Sequence, residues 1–217
     1  TDSDVVFDMV GEPAEAPVEV ANLADSEGEA NAQGFVRTVL PNGIVILAQP
    51  RPDEEAVDGT IRMRAGHVAT GETTPGLPSM MATMLTRGTG NRTFEQYNEE
   101  IDTLAASFSS GASRGSIDIG WHSLAEDLDA VLDIAADVIF NPTFPAEELD
   151  KIRPQALTGI EEQEQDTRTM AGRAMNELLY PEDHPYRFLS GGTRESITEM
   201  TREDLAAYHD LWLGPNV

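Results

Sequence analysis

The side chains best able to do chemistry are scattered along this chain. His67, His122, His184 and His209 are the four histidines in 217 residues. None has another histidine three or four positions away, so no pair shares a helical face as a zinc site on one helix requires. His122 and His209 read as structural or solvent-exposed side chains. His67 follows a predicted strand and could approach the next helix, with no partner evident in the sequence. Glu161, Glu162 and Glu164 form the densest carboxylate cluster, and such a run reads as the solvated face of a helix. A nucleophilic serine on a strand-to-helix elbow needs Gly-x-Ser-x-Gly, which does not occur. The glycines at 111–115 lack the Lys-Ser/Thr that a phosphate loop carries. Arg87 and Arg92 flank Gly88-Thr89-Gly90, where they could hold a peptide carboxylate or merely favour a helix C-terminus. The chain has no cysteine, which excludes disulfides and thiolate chemistry.

The elements that would position these residues follow from periodicity. Residues 75–90 read PGLPSMMATMLTRGTG. Leu77, Met80, Met81, Met84 and Leu85 fall at helical spacing, with Pro75-Gly76 before them and Gly88 and Gly90 after. On pattern alone this is a buried core helix with methionine filling gaps. Upstream, two β-rich runs surround Pro41-Asn42-Gly43, a hairpin signal, and 57–65 alternates as a further strand. Thr93 and Gln96 form a capping box for a helix to about Ala106. Two strands then turn near Arg114-Gly115. Ser123 and Glu126 are expected to cap an amphipathic helix over 124–140. Helical composition returns over 146–165, where Pro154 should kink or split the helix, and over 167–180. Thr201 caps a last helix to Trp212. The layout is α+β, a mixed or antiparallel sheet with helices packed on it.

The wording of 75–90 goes beyond its pattern. It resembles the active-site helix of the M16 (insulinase/pitrilysin-like) metallopeptidases, where a Gly-Leu start leads into His-x-x-Glu-His and a Gly-Thr turn. Ser79 stands at the first histidine, Ala82 at the glutamate and Thr83 at the second histidine. Two histidines at i and i+4 bind one zinc ion, and the glutamate serves as general base on the bound water. Serine and threonine hydroxyls are poor zinc ligands at neutral pH, and alanine accepts no proton. The resemblance extends over 35–217, through Leu40-Pro41-Asn42-Gly43, Asn141-Pro142-Thr143-Phe144-Pro145, His184-Pro185-Tyr186 and Glu203-Asp204-Leu205. It puts the third zinc-ligand position near Ile160, with Glu161 matching only after a one-residue shift. It makes the His-Pro-Tyr segment a mainly structural turn near the site.

The resemblance therefore implies a non-catalytic half with no metal of its own. Such a half forms one side of a peptide-enclosing chamber, dimeric with a zinc-bearing catalytic subunit or with the other half of the same polypeptide. Two other readings stay open: an M16-fold scaffold in a non-protease complex, as in the mitochondrial respiratory-complex core proteins, and a peptidase whose metal site has moved to His67, His184 or the 161–164 cluster.

Residues 1–34 carry nine acidic and no basic residues and read as an acidic linker or extension. The domain expected after it, 35–217, stops where an M16 domain would continue into its last strand, as a trimmed chain would. Net charge is −25, and Lys151 is the only lysine beside 13 arginines. That balance argues against nucleic acid and anionic membranes as partners. It also fits a salt-adapted protein. Bacterial periplasm or cytoplasm is the expected compartment, and no apolar run reaches the roughly 18 residues of a membrane helix.

Overall fold

A computed structural model describes residues 34–68, 74–182, 184–187 and 190–213. The acidic N-terminal segment, 1–33, lies outside the described residues. The chain divides into two compact units at Glu55/Ala56. In the first, β1 (Val36–Val39) pairs antiparallel with β2 (Val45–Ala48), in register from Val36 opposite Ala48 to Val39 opposite Val45. The Leu40–Ile44 connection closes by Leu40 N–H donating to Ile44 O at 2.8 Å. Gly43 sits at φ 87°, a left-handed backbone that glycine adopts without penalty. The Asn42-Gly43 turn is where the sequence puts it.

The second unit is built on a three-stranded antiparallel sheet in the order β3-β5-β4. Its strands are β3 (Ala56–Met63), β4 (Ser107–Ala112) and β5 (Ile117–Leu124). Ile117 and Ile119 are fully buried on the face that meets the helices. The helices are α1 (Leu77–Leu85), α2 (Phe94–Thr103), α3 (Leu128–Phe140), α4 (Ala146–Gln165), α5 (Thr167–Leu179), α6 (Arg194–Glu199) and α7 (Arg202–Trp212). Helix α1 is the hub, packed against β4, β5 and α7. Seven of its nine residues are buried, including Met81, Met84 and Leu85 with no exposure. Burying each such side chain stabilises by about 1.5–3 kcal/mol. No described helix is long and apolar enough to cross a membrane.

Four details differ from the sequence reading. Ser123 does not cap α3, because β5 runs on to Leu124 and a 3-10 turn at Ala125–Asp127 intervenes. The Ser123 hydroxyl is instead buried without a hydrogen-bond partner. Helix α2 ends at Thr103, where Ala105 takes a positive φ of 47°. Helix α4 passes through Pro154 as one element of 20 residues. Packing outweighs the missing N–H there: Leu149, Ile152 and Ile160 are buried, and the Arg153 guanidinium donates to the Ile197, Thr198 and Met200 carbonyls at the end of α6. Helix α6 itself, capped by Thr193, has no counterpart in the sequence reading.

The turn after α1 is tied down by a buried carboxylate. Asp137 on α3 is 4% exposed. It accepts from Thr89 Oγ1 at 2.5 Å, Asn91 Nδ2 at 2.7 Å, Arg92 Nη1 at 2.8 Å and Asn141 Nδ2 at 3.1 Å. Burial pushes its pKa up, and these donors outweigh burial and hold it below the ordinary carboxylate value. Asp137→Ala orphans those donors and should lower unfolding free energy by about 2–4 kcal/mol. Asp133, on the same arginine but with its side chain 70% exposed, should cost under about 1 kcal/mol when replaced by alanine. Urea denaturation of both variants checks this, and equal losses would contradict it.

Candidate functional site

Helix α1 begins under a crossing of two backbones. Gly76 (φ 87°) and Gly192 (φ 85°) face each other. A Cβ on Gly76 would lie 2.9 Å from Gly191 O, and one on Gly192 would lie 2.6 Å from Pro75 O. Only glycine permits that approach. Ser196 Oγ on α6 donates to Pro75 O at 2.7 Å and fixes the crossing from the other side. One turn into α1, Ser79 Oγ donates to Ser190 O at 2.9 Å and lies 3.2 Å from His67 Nε2. The 190–192 segment is thus held across the start of α1 by both backbone and hydroxyl.

The Ser79–His67 pair could suggest a nucleophile and its base. A hydroxyl has one proton, and the Ser190 carbonyl can only accept. Ser79 therefore gives its proton to Ser190 and accepts one from His67 Nε2–H. The imidazole nitrogen facing Ser79 Oγ is a donor, so it cannot serve as that oxygen's base. His67 is 9% exposed. Burial, with the Arg114 charge added, lowers its pKa and keeps it neutral near pH 7.

Further along α1, Thr83 Oγ1 donates to the Ser79 carbonyl of its own helix at 3.0 Å, and Ala82 is 1% exposed in the core. Ser79, Met80 and Thr83 line a pocket of about 190 Å³ with Ile152, Ile160 and Gln163 of α4. Ile160, 6% exposed, belongs to the apolar core as well as to this lining. Glu161 does not line it: its carboxylate pairs with Arg194 at 3.0 Å, with both side chains half exposed. Glu162 and Glu164 are exposed. A zinc ion does not fit these residues, since both hydroxyls are committed to carbonyls and Ile160 offers no donor atom.

The remaining candidate residues are occupied structurally. His122 Nδ1 meets Asp58 Oδ1 across β3 and β5 at 2.9 Å. His209 Nε2 donates to Ile139 O at 2.6 Å in the core. His184 stacks on Tyr180 with centroids 4.6 Å apart, and its Nδ1 accepts from Tyr186 N–H at 3.1 Å. Arg92 is held by Glu100, Asp133 and Asp137. Arg87 lies 4.2 Å over the Phe94 ring and 3.8 Å from Glu148. Arg92, bound to three carboxylates, is not left to take a peptide carboxylate. Among the described residues, no group of three or more His, Cys, Asp or Glu side chains is placed to hold a metal ion. Sequence reasoning missed the Ser79–His67–Ser190 bridge, because its three members are 12 and 111 positions apart and no motif joins them.

The sequence pattern of the family Insulinase (Peptidase family M16) matches residues 45–185. The chain belongs to the M16 peptidase family. A solved structure described as a peptidase M16 inactive domain from Pseudomonas fluorescens has the same fold, with TM-score 0.75 and 26% identity. The match covers 81% of this chain and 42% of that one. An uncharacterized zinc protease of Mycobacterium leprae is 25% identical over 83% of this chain and 40% of its own length. Mitochondrial-processing peptidase subunit alpha-1 of Dictyostelium discoideum is 26% identical over 89% of this chain and 30% of its own. The chain therefore spans less than half the length of these M16 relatives.

The neutral His67 gives a pH signature. Its pKa is lower folded than unfolded, where it is near 6.5. Below that value the unfolded chain binds the proton first, so stability is complete above about pH 7 and falls as pH drops toward the folded value. The urea midpoint should decline from pH 7.5 to about pH 5, and His67→Gln should flatten that decline. An identical slope in the variant would count against a buried neutral His67.

Proposed function

We propose that this chain is the non-catalytic side of a two-part M16 peptidase. It closes a peptide-enclosing chamber against a zinc-bearing half, which is another subunit or the rest of its own polypeptide. The observation that carries this reading is the state of the α1 face. Ser79 and Thr83 stand where the family's zinc-binding histidines would be, with Ala82 at the general base. Each hydroxyl is spent on a carbonyl of its own chain, Ala82 is buried, and Ile160 closes the floor. A metal-bound water has neither ligands nor a base on this side, so hydrolysis must come from the opposite half. This chain contributes wall and closure instead.

The similarity to the Pseudomonas domain, itself described as inactive, supports this. So does similarity to a peptidase built of named subunits.

The purified chain should show no chelator-sensitive cleavage of unstructured peptides. Mixed with a zinc-bearing M16 half from the same source, it should form a complex that cleaves them and stops when zinc is removed. Chelator-sensitive cleavage by the chain alone would overturn the reading. A stable complex with a non-protease assembly, and none with a zinc-bearing half, would replace it with a scaffold role.

A further inference from the structure

Helices α1 and α4 face each other across the pocket of about 190 Å³, without packing closely together. From α4 the lining carries Ile152, Ala156, Gly159 and Gln163. Their spacings of four, three and four put them on one face of the helix, so position 159 points into the gap. From α1 the lining carries Met80 and Thr83. Gly159 sits mid-helix, where glycine is less favourable than alanine. A Cβ there would meet nothing within 4 Å, so the packing of the described residues does not call for glycine. What glycine leaves is open space over the α4 backbone.

Charge and hydrogen bonding narrow what can enter. The lining holds no charged residue, although 24% of the chain is charged. A carboxylate or ammonium in the gap would lose water without gaining a partner. Gln163 is half-buried, and among the described residues no hydrogen bond holds its side-chain amide. That amide offers N–H donors and a carbonyl acceptor together, which match the C=O and N–H of a peptide group. Thr83 Oγ1 gives its proton to the Ser79 carbonyl and keeps its lone pairs for an incoming N–H.

We propose that this gap takes one uncharged aliphatic side chain of an extended peptide, while Gln163 and Thr83 hydrogen-bond the peptide backbone beside it. Pockets that enclose a whole small molecule run to roughly 300–1,000 Å³. At about 190 Å³ the gap suits a single side chain of valine to leucine size instead. Met80, Ile152 and Ile160 supply its apolar contacts, and Gly159 lets the peptide approach α4. The proposal rests on the chamber reading, which brings peptides to this face. The side without metal then holds the peptide that the opposite half cuts.

Methyl NMR of the full chain, labelled at isoleucine Cδ1, tests it. Ile152, Ile160 and Ile197 line the gap, while Ile101 and Ile134 belong to the core and do not. The capped tripeptide Ala-Leu-Ala should shift the first three signals and spare the other two, with about millimolar affinity. Capped Ala-Asp-Ala should bind more than about tenfold more weakly. Gly159→Leu fills the gap and should abolish the peptide-induced shifts, with an unchanged far-UV circular dichroism spectrum. Gln163→Ala should weaken binding about threefold to tenfold and keep the preference for leucine. Gly159→Ala should raise the urea midpoint. Signals that ignore both peptides, an equal response to the two, unaltered binding in G159L, or a lower urea midpoint in G159A would each overturn the proposal. These readouts need neither zinc nor a second half. The gap can therefore fail while a reconstituted complex still cleaves peptides, and the complex can fail while the gap still binds leucine.

Discussion

The close passage of Gly76 against Gly191 and Gly192 governs the region around α1. Two backbones meet there with no room for a Cβ on either side. That contact brings the 190–192 segment over the first turn of α1, within reach of the Ser79 hydroxyl, and lets Ser196 reach Pro75. Once the crossing is made, α1 has protein on nearly all sides: the sheet, α7, the lining residues of α4, and its own downstream chain. A side chain at position 79 then has two neighbours that need satisfying, an imidazole and a carbonyl. Serine satisfies both with one hydroxyl.

A second constraint acts at the other end of α1. Asp137 gathers Thr89, Asn91, Arg92 and Asn141, and so sets how the chain leaves α1 for α2. The two ends differ in physical character. The first is steric and needs glycine. The second is electrostatic and depends on a carboxylate held ionised by four donors. Between them lie the fully buried Met81, Met84 and Leu85, which take their positions from neighbours on every side. Helix α1 is thus a core strut, buried on most of its faces.

Much of the fold was legible because its signals are local. The Asn42-Gly43 turn, the Thr93/Gln96 capping box, the strand pair around Arg114-Gly115 and the Thr201 cap each lie within a few residues and appear where expected. Local signals fail where distant parts of the chain decide. Nothing near Pro154 reveals that Arg153 will bind the end of α6 and hold α4 continuous. Nothing near Ser123 reveals that β3 will pair with β5 as far as Leu124. The site was half legible. The identities of residues 79, 82 and 83 can be read directly, but the partner of His67 and the choice of Ile160 over Glu161 depend on packing between elements far apart in sequence.

The α1 face should bind no zinc by itself, because Ser79, Thr83 and Ile160 give the metal no ligand set. Zinc per chain after incubation with excess zinc and exhaustive desalting, measured by elemental analysis, tests it most directly. The ratio should be far below one and unchanged in Ser79→Ala. A ratio near one that survives desalting and falls in Ser79→Ala would contradict it.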